Sequence, residues 1–158
     1  MRLSRVMLEG WTASFRYPRL IAGSQPSLKA PPPATVYGLV SAACGRPVNP
    51  DNTRLGYVFR YLGAFEDLEA LQKIGWNDKS GNYDKFLMPD IVHREILYEW
   101  TLFLYCDPSV AAAFGEPCYP LLLGRSGDLA SVVAIDDADL EQRTAAVIGG
   151  TVFPLSAG

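Results

Sequence analysis

Apolar and polar positions alternate most regularly over residues 55–62 (LGYVFRYL). Leu55, Tyr57, Phe59 and Tyr61 fall on one face, with Val58, Arg60 and Leu62 on the other, the period of a β-strand. A shorter, mixed alternation over 2–9 (RLSRVMLE) predicts a first strand, and 95–106 (EILYEWTLFLYC) a third. Between the first two, residues 10–33 are irregular and end in Pro31-Pro32-Pro33, a stiff run that excludes helix throughout. A helix over 34–44 (ATVYGLVSAAC) follows, with proline before its start and Gly45 after its end. Asp107-Pro108 opens a short helix (SVAAAF) that Gly115 closes. Tyr119 to Leu123 reads as an apolar strand, and after the loop 124–128 an extended run resumes over 129–135 (LASVVAI).

Two stretches carry mixed signals. Over 64–74 (AFEDLEALQKI), Phe65, Leu68, Leu71 and Ile74 lie three apart and predict a short helix, although a strand running on from 55–62 fits the same residues. Residues 75–92 carry Gly75, Asn77-Asp78, Ser80-Gly81-Asn82 and Pro89, turn chemistry over a length too great for a tight hairpin. They read as a long loop of the kind that is functional or mobile. The resulting order is strand, helix, strand, strand, helix, strand. That βαββαβ order predicts an α+β, ferredoxin-like fold, an antiparallel sheet with both helices on one face. RNA-recognition domains share the topology.

At 158 residues, with 49% hydrophobic and 20% charged residues, the chain has the composition of one globular domain spanning 1–158. No apolar run approaches the roughly 18 residues of a membrane helix. Glu9 and Gly10 interrupt the N-terminus before a signal-peptide core forms, so a cytoplasmic chain without a membrane partner is expected. Cys44, Cys106 and Cys118 fit neither a disulfide framework nor a CxxC zinc site, and His93 is the only histidine. No metal and no cofactor is therefore expected. Phosphate-binding and dinucleotide glycine motifs and GxSxG are absent, against a nucleotide hydrolase, a dehydrogenase or a serine hydrolase. Asp136, Asp137 and Asp139 have the chemistry to ligate Mg²⁺, but they read as a solvated acidic turn.

Net charge changes the picture more. Residues 1–60 carry eight basic groups (seven of them Arg) against Glu9 and Asp51, or +6, whereas residues 61–158 carry −9. A basic surface for an anionic partner or a scatter of solvated charges would both give this asymmetry. The loop Gly124-Arg125-Ser126-Gly127-Asp128 has two readings as well: an anion-binding nest beside a guanidinium, or a plain Ser-Gly-Asp turn. The Tyr57/Phe59/Tyr61 stripe either stacks bases or faces the core.

Several segments together resemble one family: Ser14-Phe15-Arg16-Tyr17-Pro18, Gln25-Pro26-Ser27-Leu28, Pro31 to Leu39 (PPPATVYGL) and Leu123 to Ala130 (LGRSGDLA). They resemble CRISPR-associated protein family five, in its type I-B-like branch, the Cascade subunit that holds the 5′ end of the guide RNA. His93 to Tyr98 and Leu102 to Tyr105 resemble that family's strand returning from a protruding "thumb" hairpin. The resemblance implies a RAMP-type ferredoxin-like domain with a thumb at about 76–92, and prefers an extended arm to a helix over 64–74. On this resemblance the family's usual C-terminal extension is expected to be short or absent.

The resemblance further implies a non-catalytic subunit that caps the crRNA 5′ handle. Its partners would be the backbone subunit (family seven), the large subunit (family eight) and target DNA near the PAM-proximal end. Expected RNA-binding residues are Arg16, Tyr17, Arg19, Gln25, Thr35, Arg46, Arg125 and Ser126, with Tyr83, Lys85, Phe86, Leu87 and Met88 on the thumb. The alternative is a metal-independent endoribonuclease that processes precursor crRNA, for which His93 with Tyr83 or Lys85 is the only local set of acid–base groups. No catalytic motif surrounds them, so no catalytic residue is expected.

Overall fold

The computed structural model describes residues 2–17, 23–141, 143, 145, 147 and 149–152, and only the backbone of Arg2, Lys73, Ile74 and residues 84–90. The elements in chain order are β1 (Arg2–Ala13), β2 (Ser24–Gln25), α1 (Pro33–Cys44), β3 (Gly56–Asn77), β4 (Asn82–Cys106), α2 (Pro108–Ala112) and β5 (Ser131–Asp139). This is a mixed α+β fold dominated by one sheet. Strand β4 carries β3 along one edge; the other edge takes β1 beside Leu97–Cys106 and then the two-residue β2 beside His93–Arg94. β5 closes the far side on β1. The four long strands are all antiparallel to their neighbours, and β2 alone runs parallel to β4. Among the described residues no helix is long and apolar enough to cross a membrane.

Helix α1 forms where the proline run and Gly45 place its ends. Pro33 opens it, where a missing N–H costs nothing, and Gly45 ends it at φ 67°. A side chain at Gly45 would sit 2.7 Å from Cys118 Sγ, so glycine is required there on two counts. Val36, Leu39, Val40 and Ala43, at i, i+3, i+4 and i+7, are the buried stripe. They pack against Val6 and Leu8 of β1, Tyr57 and Phe59 of β3, and Trp100, Leu102 and Leu104 of β4 in one core. Each such side chain withdrawn from water contributes about 1.5–3 kcal/mol. The Tyr57/Phe59/Tyr61 stripe therefore faces inward: Phe59 stacks on Trp100 at 5.8 Å and meets Phe15 edge-on at 5.4 Å. Trp100 donates its indole N–H to the carbonyl of Thr12 at 2.8 Å.

Three expected elements differ. Residues 64–74 are strand, because Ala64 to Leu71 and Lys73 find partners across β4, whereas a helix would have no body to bury its Phe/Leu face against. Residues 75–92 are not a long loop. β3 continues to Asn77 and β4 begins at Asn82, so a four-residue connection suffices. Asn77 closes that turn: its Oδ1 accepts from the N–H of Lys79 and Ser80, and Gly81 at φ 66° donates to the Asn77 carbonyl. Residues 119–123 form no strand; a single bridge joins Leu122 to Leu129.

The outer part of β3 and β4 is a two-stranded arm that neither β1 nor β5 reaches. It leaves the body at Gly63, where a Cβ would lie 2.7 Å from the ring of Tyr98, and Tyr98 packs on Phe65 at 6.0 Å. Further out, Leu68, Leu71, Trp76, Tyr83 and Ile91 are exposed, and Trp76 meets Tyr83 edge-on beside the turn.

Candidate nucleic-acid interface

The base of the arm gathers charge from four parts of the chain. Glu69 of β3 accepts from Nε of Arg94 on β4 at 2.6 Å, and its other oxygen lies 3.9 Å from Nη1 of Arg125. Arg125 turns its remaining edge to Asp128, with Nε–Oδ2 at 3.1 Å and Nη2–Oδ1 at 2.9 Å, and its backbone N–H donates to the same carboxylate at 2.8 Å. Thr12 of β1 adds a hydroxyl donor at 2.8 Å. Asp128 is 1% exposed. Burial alone would raise its pKa, but the Arg125 and Thr12 hydrogen bonds outweigh burial and hold the carboxyl below its ordinary value. The Asp128 hydrogen bond in turn raises the Arg125 pKa.

A second cluster adjoins the first. Glu95 of β4 accepts from the Ser27 N–H at 2.9 Å and pairs with Lys29. Ser27 links back to β1's exit, its hydroxyl accepting from the Phe15 N–H at 2.9 Å, while Ser14 donates to the Glu95 carbonyl at 2.9 Å. His93 sits on the outer side, its Nδ1 2.5 Å from Glu66. The segments 12–17, 24–29, 93–95 and 124–128, distant in sequence, thus form one surface around the arm's root.

Of the expected RNA-binding residues, Arg16, Tyr17 and Ser126 are exposed on or beside this surface. Arg19 lies outside the described residues, as do the side chains of Lys85, Phe86, Leu87 and Met88. Gln25 is placed here but is 3% exposed, so its side chain faces inward. Thr35 and Arg46 are not brought together: they stand at the two ends of α1, roughly 16 Å apart at 1.5 Å per residue. The nest reading of 124–128 is corrected. The anion held by the Arg125 amide and fork is the chain's own Asp128, and the loop is a turn closed by Asp128 N–H on the Arg125 carbonyl at 3.0 Å.

The basic half is divided too. Arg5 pairs with Asp136 at 2.9 Å and Lys29 with Glu95, whereas Arg46 and Arg54 are exposed between α1 and β3. Asp136, Asp137 and Asp139 lie along β5, and among the described residues no group of His, Cys, Asp and Glu side chains is arranged to hold a metal ion. Glu69, Arg94, Glu95 and Asp128 were not singled out by the sequence. Asp128 had a local signal, three residues after Arg125 in a turn; Glu69 and Arg94 meet only once 64–74 is strand.

Tyr83 and His93 are far apart. His93 pairs with Leu68 and Tyr83 with Trp76, eight residues farther along the arm, or roughly 25 Å at strand rise.

The fold has a solved counterpart. A chain of a "CRISPR RNA-guided surveillance complex" shares the fold. The TM-score is 0.59 at 17% identity, over 80% of this chain and 59% of that one, so this chain spans about three-fifths of its counterpart's length. A functionally uncharacterized protein from Streptococcus mutans aligns at a TM-score of 0.43 and 8% identity, over 88% of this chain and 67% of the other. No family model and no curated relative matches the sequence.

Proposed function

We propose that this chain is a non-catalytic RNA-binding subunit of a type I CRISPR surveillance complex, of the family-five kind, that caps the 5′ handle of the guide RNA. The observation that carries the reading is the arm. An isolated two-stranded ribbon is marginal in water, and this one exposes Leu68, Leu71, Trp76, Tyr83 and Ile91 along its length. Such an element is completed by what it binds. The shared fold with a chain of an RNA-guided complex supports RNA as that partner. The strand order β3–β4–β1–β5 with α1 on one face supports assignment of the body as ferredoxin-like, of the RRM or RAMP type.

In this reading Arg16, Tyr17 and Ser126 meet the handle at the arm's root, and the arm, with Trp76 and Tyr83 at its end, wedges between nucleotides where handle gives way to spacer. Separating neighbouring bases costs a few kcal/mol, offset by the apolar surface covered. Backbone (family seven) and large (family eight) subunits pack on the remaining faces near the PAM-proximal end of the target, and sequence is read by guide–target pairing. The roughly 25 Å between His93 and Tyr83 weighs against Tyr83 as the partner of His93 in the endoribonuclease alternative. The test is co-expression with the neighbouring CRISPR genes, purification through this chain, and sequencing of bound RNA. Repeat-derived 5′ ends in stoichiometric amount are expected. A complex that assembles without this chain, or RNA lacking that end, would overturn the proposal.

A further inference from the structure

A second surface adjoins the arm's root, on the side where Trp11 precedes Thr12 and Leu129 follows Asp128. Trp11 of β1 is 78% exposed. Beside it a groove of about 580 Å³ is lined by Glu9, Glu99, Leu129 and Val133, with Trp100 contributing to its wall. Gly10 permits the arrangement, since a Cβ there would fall 2.3 Å from the Trp100 ring and 2.6 Å from the Leu129 carbonyl. Leu129 and Val133 are also exposed. Glu99, next to Trp100, holds φ 48°, a conformation uncommon for any residue with a side chain.

Among the described residues no cation pairs with Glu9 or Glu99. The basic residue nearest in register is Arg60, opposite Thr101, which is itself opposite Glu9. Its guanidinium turns instead to the ring of Phe103, at 5.7 Å. The groove thus combines an open indole face, two aliphatic side chains and two carboxylates with no cation partner among the described residues. An indole attracts a cation over its face, and carboxylates at the rim steer and select for one. Phosphates meet repulsion here, so a nucleic-acid strand is the wrong occupant.

We propose that this groove docks a protein segment presenting an arginine or lysine between apolar residues, the cation over Trp11 and between Glu9 and Glu99. Exposed tryptophan at the centre of such a patch is the usual anchor of a protein interface. The surface shares no lining residue with the charged cluster at the arm's root and does not depend on the RNA-binding reading.

The test uses the whole chain, ¹⁵N-labelled, titrated with the peptide acetyl-Leu-Arg-Leu-Arg-Leu-amide and with its glutamate counterpart. The Trp11 indole N–H signal should shift saturably with the arginine peptide alone. Trp11→Ala should abolish binding, and the double substitution Glu9→Gln, Glu99→Gln should weaken it at least tenfold; both leave buried positions untouched, and variants at Trp11 are followed by the backbone amide signals of residues 9, 10 and 99. Trp11→Phe, which keeps an aromatic face, should retain measurable binding. Equal responses to the two peptides, or none, would overturn the proposal. So would a ten-nucleotide oligouridine that shifts the Trp11 signal in preference to the peptide, since it would assign the face to RNA.

Discussion

Arg125 and Asp128 meet at two points, Nε on Oδ2 and Nη2 on Oδ1, on a carboxylate that Thr12 also binds. This pair ties the 124–128 turn to the end of β1, and through Glu69 it reaches Arg94 and the arm. The arm's root is therefore fixed to the body by side chains and not by backbone pairing alone.

Breaking the pair should be felt in stability. Asp128→Ala leaves the Arg125 fork without its buried partner, and a loss of about 3 kcal/mol is expected by urea unfolding at pH 7. Because the folded-state pKa of Asp128 lies below its ordinary value, the unfolded chain binds more protons in the window between the two. The contribution is complete above the unfolded value, near pH 4, and is lost as pH falls through the folded value. Glu95 is shifted in the same direction: burial acts to raise it, but hydrogen bonds from Lys29 and Ser27 prevail. Stability of the native chain should therefore fall steeply below about pH 4, and Asp128→Asn should flatten that slope.

Gly10→Ala should disturb the core without touching the arm. The added methyl overlaps the Trp100 ring and the Leu129 carbonyl, one of them backbone that cannot simply rotate aside. A loss of about 2 kcal/mol is expected, as for other overpacked sites. Reduced near-ultraviolet dichroism of Trp100 with an unchanged far-ultraviolet spectrum would accompany it.

Shortening the arm should leave the body intact. Leu71 faces Asp90 in register, and joining them by Asn-Gly in place of residues 72–89 gives a short hairpin. The core residues all lie outside that segment. The midpoint of urea unfolding should change by no more than the equivalent of about 1 kcal/mol, while assembly with guide RNA should drop sharply in a co-purification assay. Retained assembly would remove the arm from the interface.

Local chemistry made the body legible and tertiary pairing hid the arm. Proline and glycine marked both ends of α1 from sequence alone, and the alternation at Tyr57, Phe59 and Tyr61 identified both a strand and its buried face. The three-residue spacing of Phe65, Leu68 and Leu71 pointed to a helix because the pattern cannot say whether a face will find something to pack against. In the fold those side chains stand on a ribbon whose only continuous partner is β4, and the family resemblance, not the periodicity, favoured the extended form. Asn77 and Gly81 were visible as turn residues, but the strands on either side of them were not, since Trp76 and Tyr83 beside the turn serve no core. At the candidate site, the expected residues Arg16, Tyr17 and Ser126 lie exposed on or beside the arm's root. The burial of Gln25 was not legible because burial of a polar side chain leaves no mark on composition, nor was the pairing of Arg125, whose guanidinium the turn's own Asp128 holds.

The central claim, RNA binding without cleavage, is tested most directly by titrating the purified chain with labelled repeat RNA from its own CRISPR array, in EDTA, at several salt concentrations. The account predicts intact RNA and affinity that falls with salt, with Arg16→Ala lowering the slope of log affinity against log salt by about 0.7. Binding no tighter than to unrelated RNA, or specific cutting of the repeat that disappears in His93→Ala, would contradict it.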